Sequence, residues 1–311
     1  MKLIDENKVK QKFQPDPFIL EENGEFFIYC TSTDGVQAYR SKSLIGEYED
    51  IGKVLKIQGK KWFWAASVIK INGKFYMYVS CMNDEEEDAH RETMFVASSD
   101  SPAGPFTNAK PLIESFSIDS HVVQNESGLF IFYSTNDYSG DRIGTYICVD
   151  KLLDPERVAG NPVPVIKPTL DEEISCKNRF GDGKDWHTIE GAFYFKEGDY
   201  HVVIYSGNCY SSPYYYLGYA VAKTKETDLT KIKFKKYPSE KVYAPLIAKN
   251  DFEEGTGHNS LIKYKGEYFV IYHGRDKGTV EARGEDKRTA RICRLIVDGE
   301  KLTAVRKENS L

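Results

Sequence analysis

One pattern recurs five times along the chain: an apolar run, a tight turn carrying glycine, then a second run rich in aromatic residues. The copies read PFILEENGEFFIYCTS, SVIKINGKFYMYVSC, HVVQNESGLFIFYST, AFYFKEGDYHVVIYSG and SLIKYKGEYFVIYHG. Two strand-like runs about a Gly-containing turn are the signature of a β-hairpin. The turn glycines, Gly24, Gly73, Gly128, Gly198 and Gly266, lie 49, 55, 70 and 68 residues apart. That spacing leaves room for about two further strands per copy, the size of a propeller blade.

The segments after the hairpins agree with this reading. GVQAYRS, TMFVASSD, IGTYICVD, YLGYAVAKT and ARICRLIVD each have the composition of a third strand. The 21 Tyr and 17 Phe of the 311 residues also favour strands. No long amphipathic helix interrupts the series, which excludes a βαβ architecture. The expectation is an all-β fold, a five-bladed β-propeller, forming a single domain over residues 1–311 with its core from about 13 to 306.

Charge and hydropathy narrow the function classes. A net charge of −5 with no Lys/Arg cluster argues against nucleic acid as a partner. No stretch approaches the roughly 20 apolar residues that span a bilayer, so no membrane partner is expected. The start, MKLIDENKVKQ, is polar and lacks an apolar signal core, so the chain as written is expected in the cytoplasm. A periplasmic or secreted location stays open if a signal peptide has been removed. The six cysteines are scattered singly, without zinc or redox spacing, and are expected to be buried free thiols.

The residue eight or nine positions ahead of each turn glycine marks where the first strand of each hairpin begins. Those residues are Asp16, Trp64 with Ala65, Asp119, Glu190 and His258. In a propeller the innermost strands start at one face around a common axis, so these side chains would converge on one pocket. A single Asp at a strand start has an ordinary use in turn hydrogen bonding. Three acidic groups at five equivalent positions do not, because gathered carboxylates raise one another's pKa at a cost that folding alone does not explain. Carboxylates in an aromatic pocket suit glycoside hydrolysis, with Trp62, Trp64 and the tyrosines of CYSSPYYYLGY as apolar walls. Metal binding uses the same residue types, but no HExxH, EF-hand or zinc spacing supports it.

These pieces together resemble glycoside hydrolase family 43, the five-bladed propeller enzymes that include α-L-arabinofuranosidases, β-xylosidases and arabinanases. The matching segments are the DPF containing Asp16, the WAAS from Trp64, the IDSHV containing Asp119, the IEGAF containing Glu190 and the GTGHNS containing His258. Where the family often has proline after its Trp-Ala and Glu-Gly pairs, this chain has Ala66 and Ala192. The resemblance implies inversion of anomeric configuration, with Asp16 as general base, Glu190 as general acid, and Asp119 tuning the acid and orienting substrate. It also implies substrate contacts from Trp64, Ala65 and His258, with an arginine beside Asp16. Of Arg288 and Arg291, the first is the choice. No cofactor is required, while a structural Ca²⁺ near the axis, faced by His258 through waters, stays open.

An inverting enzyme needs two carboxyls about 6.5–9.5 Å apart and an acid whose pKa is raised towards neutrality. Asp119 is expected to push Glu190 upward. The expected substrates are arabinose- or xylose-containing glycans (arabinan, arabinoxylan, xylan), cleaved at terminal α-L-arabinofuranosyl or β-D-xylosyl groups. Two alternatives remain: an endo-acting arabinanase or xylanase of the same fold, and a non-catalytic carbohydrate-binding propeller. The insertion at 167–184 could wall the pocket and favour exo action. The acidic run 83–88 reads as a solvated face, His273 as packing, and His187 and His121 as structural or pocket-wall residues outside the catalytic set.

Overall fold

The computed structural model of the chain describes residues 1–279 and 286–306. Residues 280–285 and 307–311 of the expected single domain lie outside them. The described residues form no α-helix; short 3-10 turns at Ala89–Arg91, Asp171–Glu173 and Leu229–Lys231 are the helical content, so the fold is all-β.

Each sequence hairpin is present, and each continues into the expected third strand. The first sheet runs β1 (Phe18–Glu22), β2 (Glu25–Cys30), β3 (Val36–Ser41) and β4 (Glu49–Leu55) in order. The second repeats this with β5 (Lys60–Ile71), β6 (Lys74–Asn83), β7 (Thr93–Ser99) and β8 (Thr107–Ile113). The third unit holds β9 (Ile118–Asn125), β10 (Gly128–Asp137) and β11 (Gly144–Asp154), with β12 (Arg157–Val158) and β13 (Val163–Ile166) on the edge of β11. After β14 (Ile174–Cys176) comes the fourth unit, β15 (Trp186–Glu197), β16 (Tyr200–Gly207), β17 (Tyr216–Lys223) and β18 (Lys235–Lys236). The last sheet is β19 (Glu253–Tyr264), β20 (Glu267–Asp276), β21 (Thr289–Asp298) and β22 (Lys301–Val305).

The third and fourth units are not separate sheets. A short parallel pairing of β11 with β15, at Gly144↔His187 and Thr145↔Thr188, joins them into one ten-stranded sheet. Gly144 makes this approach feasible: a Cβ there would stand 1.9 Å from the His187 carbonyl oxygen. This fusion was not expected from the hairpin spacing.

Both faces of each sheet are buried, which explains why a segment such as EFFIYC reads as continuously apolar. Along β2, Phe27 and Tyr29 enter a cluster shared with the second sheet, while Phe26, Ile28 and Cys30 enter one shared with the last sheet. The period of two sends alternate residues to opposite cores. Equivalent clusters lie between the second sheet and the third unit, the third and fourth units, and the fourth unit and last sheet. Fully burying each Phe-, Ile- or Val-sized side chain contributes about 1.5–3 kcal/mol. All six cysteines are free; Cys30, Cys81, Cys148 and Cys293 are buried, whereas Cys176 is exposed and Cys209 half-buried, contrary to expectation.

Two local anchors matter for the site. The N-terminal segment lies along β21, with Leu3 N donating to Ala290 O at 2.8 Å and Ile292 N to Met1 O at 2.9 Å. Gln14 N donates to Arg288 O at 2.8 Å, coupling the entry to β1 to the start of β21. The 167–184 insertion is pinned by Glu173, fully buried, which pairs with the buried Lys236 ammonium and accepts from Thr169 N and Leu170 N at 2.6 and 2.9 Å.

Candidate active site

Four of the five positions ahead of the turn glycines hold a non-glycine residue in the left-handed region: Asp16 (φ 55°) just before β1, Asp119 (φ 60°) at the start of β9, and Ala65 (φ 44°) and His258 (φ 42°), which, like Glu190 in β15, lie inside their strands and not at the starts that the sequence led us to expect. The fifth is Gly191 (φ 67°), next to Glu190. Each such L-residue costs roughly 1–2 kcal/mol. In β5, β15 and β19 the ladder register also slips around these positions. The kinks turn the preceding or kinked side chains out of the sheet, and the result is a cavity of about 450 Å³ lined by Asp16, Trp64, Asp119, Glu190, His258 and Arg288. Trp62 lines it too. Ala65 does not, contrary to expectation: it is buried, and its N–H donates to Thr31 Oγ1 at 2.8 Å.

Asp16 is surrounded by donors, the Arg288 cation and two histidines whose pKa values burial lowers. Thr31 Oγ1 donates to its Oδ2 at 2.6 Å, and the Arg288 guanidinium lies 3.5 Å from Oδ1. His273 Nδ1 is 3.1 Å and His258 Nδ1 3.7 Å from Oδ1. Burial would raise the Asp16 carboxyl, but Arg288, His258 and His273 outweigh it and hold it well below the usual carboxylate range. Arg288 is itself held by Asp286, at 2.6 and 3.0 Å, with its guanidinium 4.7 Å above the Tyr210 ring. Arg291 is buried on a different side, against Glu253 at 3.3 Å and Asp276 at 2.7 Å.

The other two carboxyls face opposite conditions. Burial raises Glu190 to about 7; a hydrogen bond from Tyr215 opposes this and the charge of Asp16 adds to it. Asp119 is pushed well above the ordinary range by burial, then by Glu190 and Asp16, although Gly191 N donates to its Oδ2 at 3.1 Å. Burial is therefore the main cause of the raised Glu190, and the repulsion within the pair raises Asp119, the reverse of the expected direction. The two groups titrate as a pair. His258 Nδ1 lies 3.8 Å from Asp119 Oδ1, and the His258 backbone N–H donates to Ser206 Oγ at 2.7 Å. A Cβ at Gly191 would approach His258 Nδ1 to 3.1 Å, so both conformation and space call for glycine there.

Several lining residues carry no sequence signal of the repeat. Tyr215, on the approach to β17, donates to Glu190 Oε1 at 2.7 Å and stacks on His273 at 5.6 Å. His273, read from the sequence as packing, is fully buried yet touches Asp16. His90, Phe116, Ser175, Arg179, Trp186 and Tyr210 complete much of the wall. The 167–184 insertion thus does line the pocket, through Ser175 and Arg179. His121 belongs to the core, stacked on Phe193 at 4.0 Å, and His187 bonds Arg142 at 2.9 Å away from the cavity. The 83–88 run is largely exposed. Among the described residues no group of three or more His, Cys, Asp or Glu is arranged to hold a metal ion.

An ionised carboxylate and a carboxyl that keeps its proton near neutrality, in one enclosed cavity, can accept and deliver protons in a single event. A family model for glycosyl hydrolases family 43 matches residues 6–295. The chain belongs to glycosyl hydrolases family 43. Family 43 membership makes it a glycoside hydrolase. A β-xylosidase of Xylanibacter ruminicola is 23% identical over 319 residues, covering 84% of this chain and 87% of its own. The crystal structure of a thermostable family-43 glycoside hydrolase matches with a TM-score of 0.80 at 29% identity, over 96% of this chain and 94% of that one. An α-L-arabinofuranosidase from Lactobacillus brevis matches with a TM-score of 0.77 over 98% of this chain and 97% of its own, and at 17% identity the likeness is one of fold.

Proposed function

We propose that this family 43 enzyme is an inverting, exo-acting glycosidase that releases terminal α-L-arabinofuranosyl or β-D-xylosyl residues from arabinan, arabinoxylan or xylan. Asp16 is the general base: it takes a proton from a water as that water attacks the anomeric carbon. Glu190 is the general acid: it gives its proton to the glycosidic oxygen, which leaves as the alcohol. Asp119 adjusts the acid's proton affinity and orients the sugar, while Arg288 keeps Asp16 ionised and His258 and Trp64 bound the sugar. We further propose that the five hairpin units are the blades of a five-bladed propeller forming one domain. The five apolar clusters, each between consecutive units with the fifth between last and first, support that arrangement.

The observation that carries the catalytic reading is the opposed protonation of Asp16 and Glu190 within one pocket. An inverting mechanism needs that pairing, since base and acid must be ready in the same ground state. Hydrolysis of p-nitrophenyl α-L-arabinofuranoside and β-D-xyloside by the wild type, Asp16→Ala and Glu190→Ala, with folding checked by circular dichroism, tests it. Activity in the wild type alone supports the assignment and names the sugar. NMR of the first-formed sugar must show the inverted anomer; a retained anomer overturns the mechanism.

A further inference from the structure

Hydrolysis as proposed uses the floor of the pocket and leaves its mouth unexplained. Among the described residues ten large apolar side chains are exposed, and four of these stand around this mouth. Trp62 (41% exposed) and Tyr210 (49%) line the cavity itself. Tyr138 (61%) and Phe180 (55%) pack on Trp186, another lining residue, with ring centroids 5.3 and 5.7 Å from it. Exposed aromatic surface is unfavourable in water, and its concentration at one rim marks a surface that binds something.

One wall of the cavity connects the acid to this rim. Trp186, Thr188 and Glu190 alternate along β15, so all three face the cavity, and all three line it. Four residues of strand put the Trp186 position roughly 13 Å from the acid, outward along the wall. The acid protonates the glycosidic oxygen, so whatever is attached beyond that oxygen extends from Glu190 along this wall. There it meets Arg179, whose guanidinium lies 4.7 Å over the Trp186 ring and 5.5 Å over Phe180. Among the described residues the polar partner of this guanidinium is His90, which burial and Arg179 itself keep neutral, rather than a carboxylate.

We propose that Arg179, Phe180 and Tyr138, backed by Trp186, form a distal leaving-group subsite that takes a pyranose residue at least one further along the chain than the residue attached to the scissile bond. The C–H faces of that pyranose lie against Phe180 and Tyr138, whose centroids are 6.5 Å apart, and Arg179 donates to its hydroxyls. The 167–184 insertion, which supplies Arg179 and Phe180, is then a substrate-reading element as well as a wall. The subsite rests on the glycosidase reading of the pocket floor.

The test compares the wild type with Arg179→Ala and with a Phe180→Ala/Tyr138→Ala double variant, on the p-nitrophenyl glycoside and on the matching di-, tri- and tetrasaccharides. The subsite predicts kcat/KM on the tri- and tetrasaccharides falling about tenfold in each variant, with under a twofold change on the aryl glycoside. The altered side chains are exposed, and melting curves matching wild type show that the variants fold. Unchanged oligosaccharide kinetics overturn the subsite, as does an equal loss on both substrate types, which would mean that the rim acts through the acid. A wild type that hydrolyses none of these substrates overturns the catalytic reading instead. Calorimetric titration with xylotetraose and arabinotetraose then decides the subsite: binding lost in the variants supports it, and no binding or binding unaffected by them overturns it.

Discussion

The Tyr215 hydroxyl donates to Glu190 Oε1 at 2.7 Å, while its ring lies 5.6 Å from His273, which in turn touches Asp16. The candidate acid and base are therefore linked through one buried tyrosine–histidine stack. Gly257 makes the stack possible, because a Cβ there would stand 1.9 Å from the Tyr215 ring.

Removing this donor while keeping the ring gives the first prediction. Tyr215 stabilises the ionised form of Glu190, so Tyr215→Phe leaves only Arg288 to oppose burial and Glu190 holds its proton to higher pH. The alkaline limb of kcat/KM against pH moves upward, and the rate at the optimum falls about tenfold as the acid loses its orienting bond. A profile that overlays the wild type would reject the role.

The wild-type profile itself is set by the carboxyl environments. Glu190 must carry its proton, so activity falls as pH rises through about 7. Asp16 must be ionised and is held far below the ordinary range, chiefly against burial by Arg288, so no acid limb is expected above the range where the protein itself unfolds. In Arg288→Ala burial dominates, Asp16 takes up a proton at higher pH, and an acid limb enters the measurable window. Initial rates across pH 3–9 on an aryl glycoside check both statements.

Asp119→Asn removes one proton-binding group from the pair while keeping the shape of the side chain. The paired titration then becomes that of Glu190 alone, so the alkaline limb sharpens to a single step near its wild-type position, and kcat falls about a hundredfold as the substrate loses an orienting group. KM should change far less than kcat. A variant with normal kcat and a raised KM would make Asp119 a binding residue only.

The buried Lys236–Glu173 pair supports a stability prediction. Lys236→Met leaves a fully buried carboxyl that still receives two backbone N–H groups but no cation. Breaking one side of such a pair costs about 3–5 kcal/mol, read as a lowered midpoint in urea. Limited proteolysis should cut first within 167–184, which this pair anchors.

Much of the architecture was legible because turn glycines and the two-residue period leave a direct record in the chain. The five hairpins, their third strands and the convergence of Asp16, Trp64, Asp119, Glu190 and His258 all stem from that record. Ala65 stands outside the cavity lining, since sequence position does not tell which of two neighbours a kink turns inward. Tyr215, His273, His90 and Arg179 come from second strands, strand approaches and the insertion, where no repeat aligns them, and a tyrosine among tyrosines carries no pattern. Arg288 and Arg291 are three apart and so fall on opposite sides of one chain segment, but only tertiary packing says which side holds Asp16. The fusion of the third and fourth units depends on a backbone approach at Gly144 that the period cannot express.

The left-handed kinks at Asp16, Ala65, Asp119 and His258 place two selective pressures on the same positions. A lineage selected only for thermal endurance would gain by putting glycine or asparagine there, each change relieving part of a backbone cost of roughly 1–2 kcal/mol. Three of the four such exchanges would strip a carboxylate or imidazole from the pocket. Ala65 alone could yield without that loss, so it is where directed evolution for heat tolerance should find its first gain at little expense to turnover.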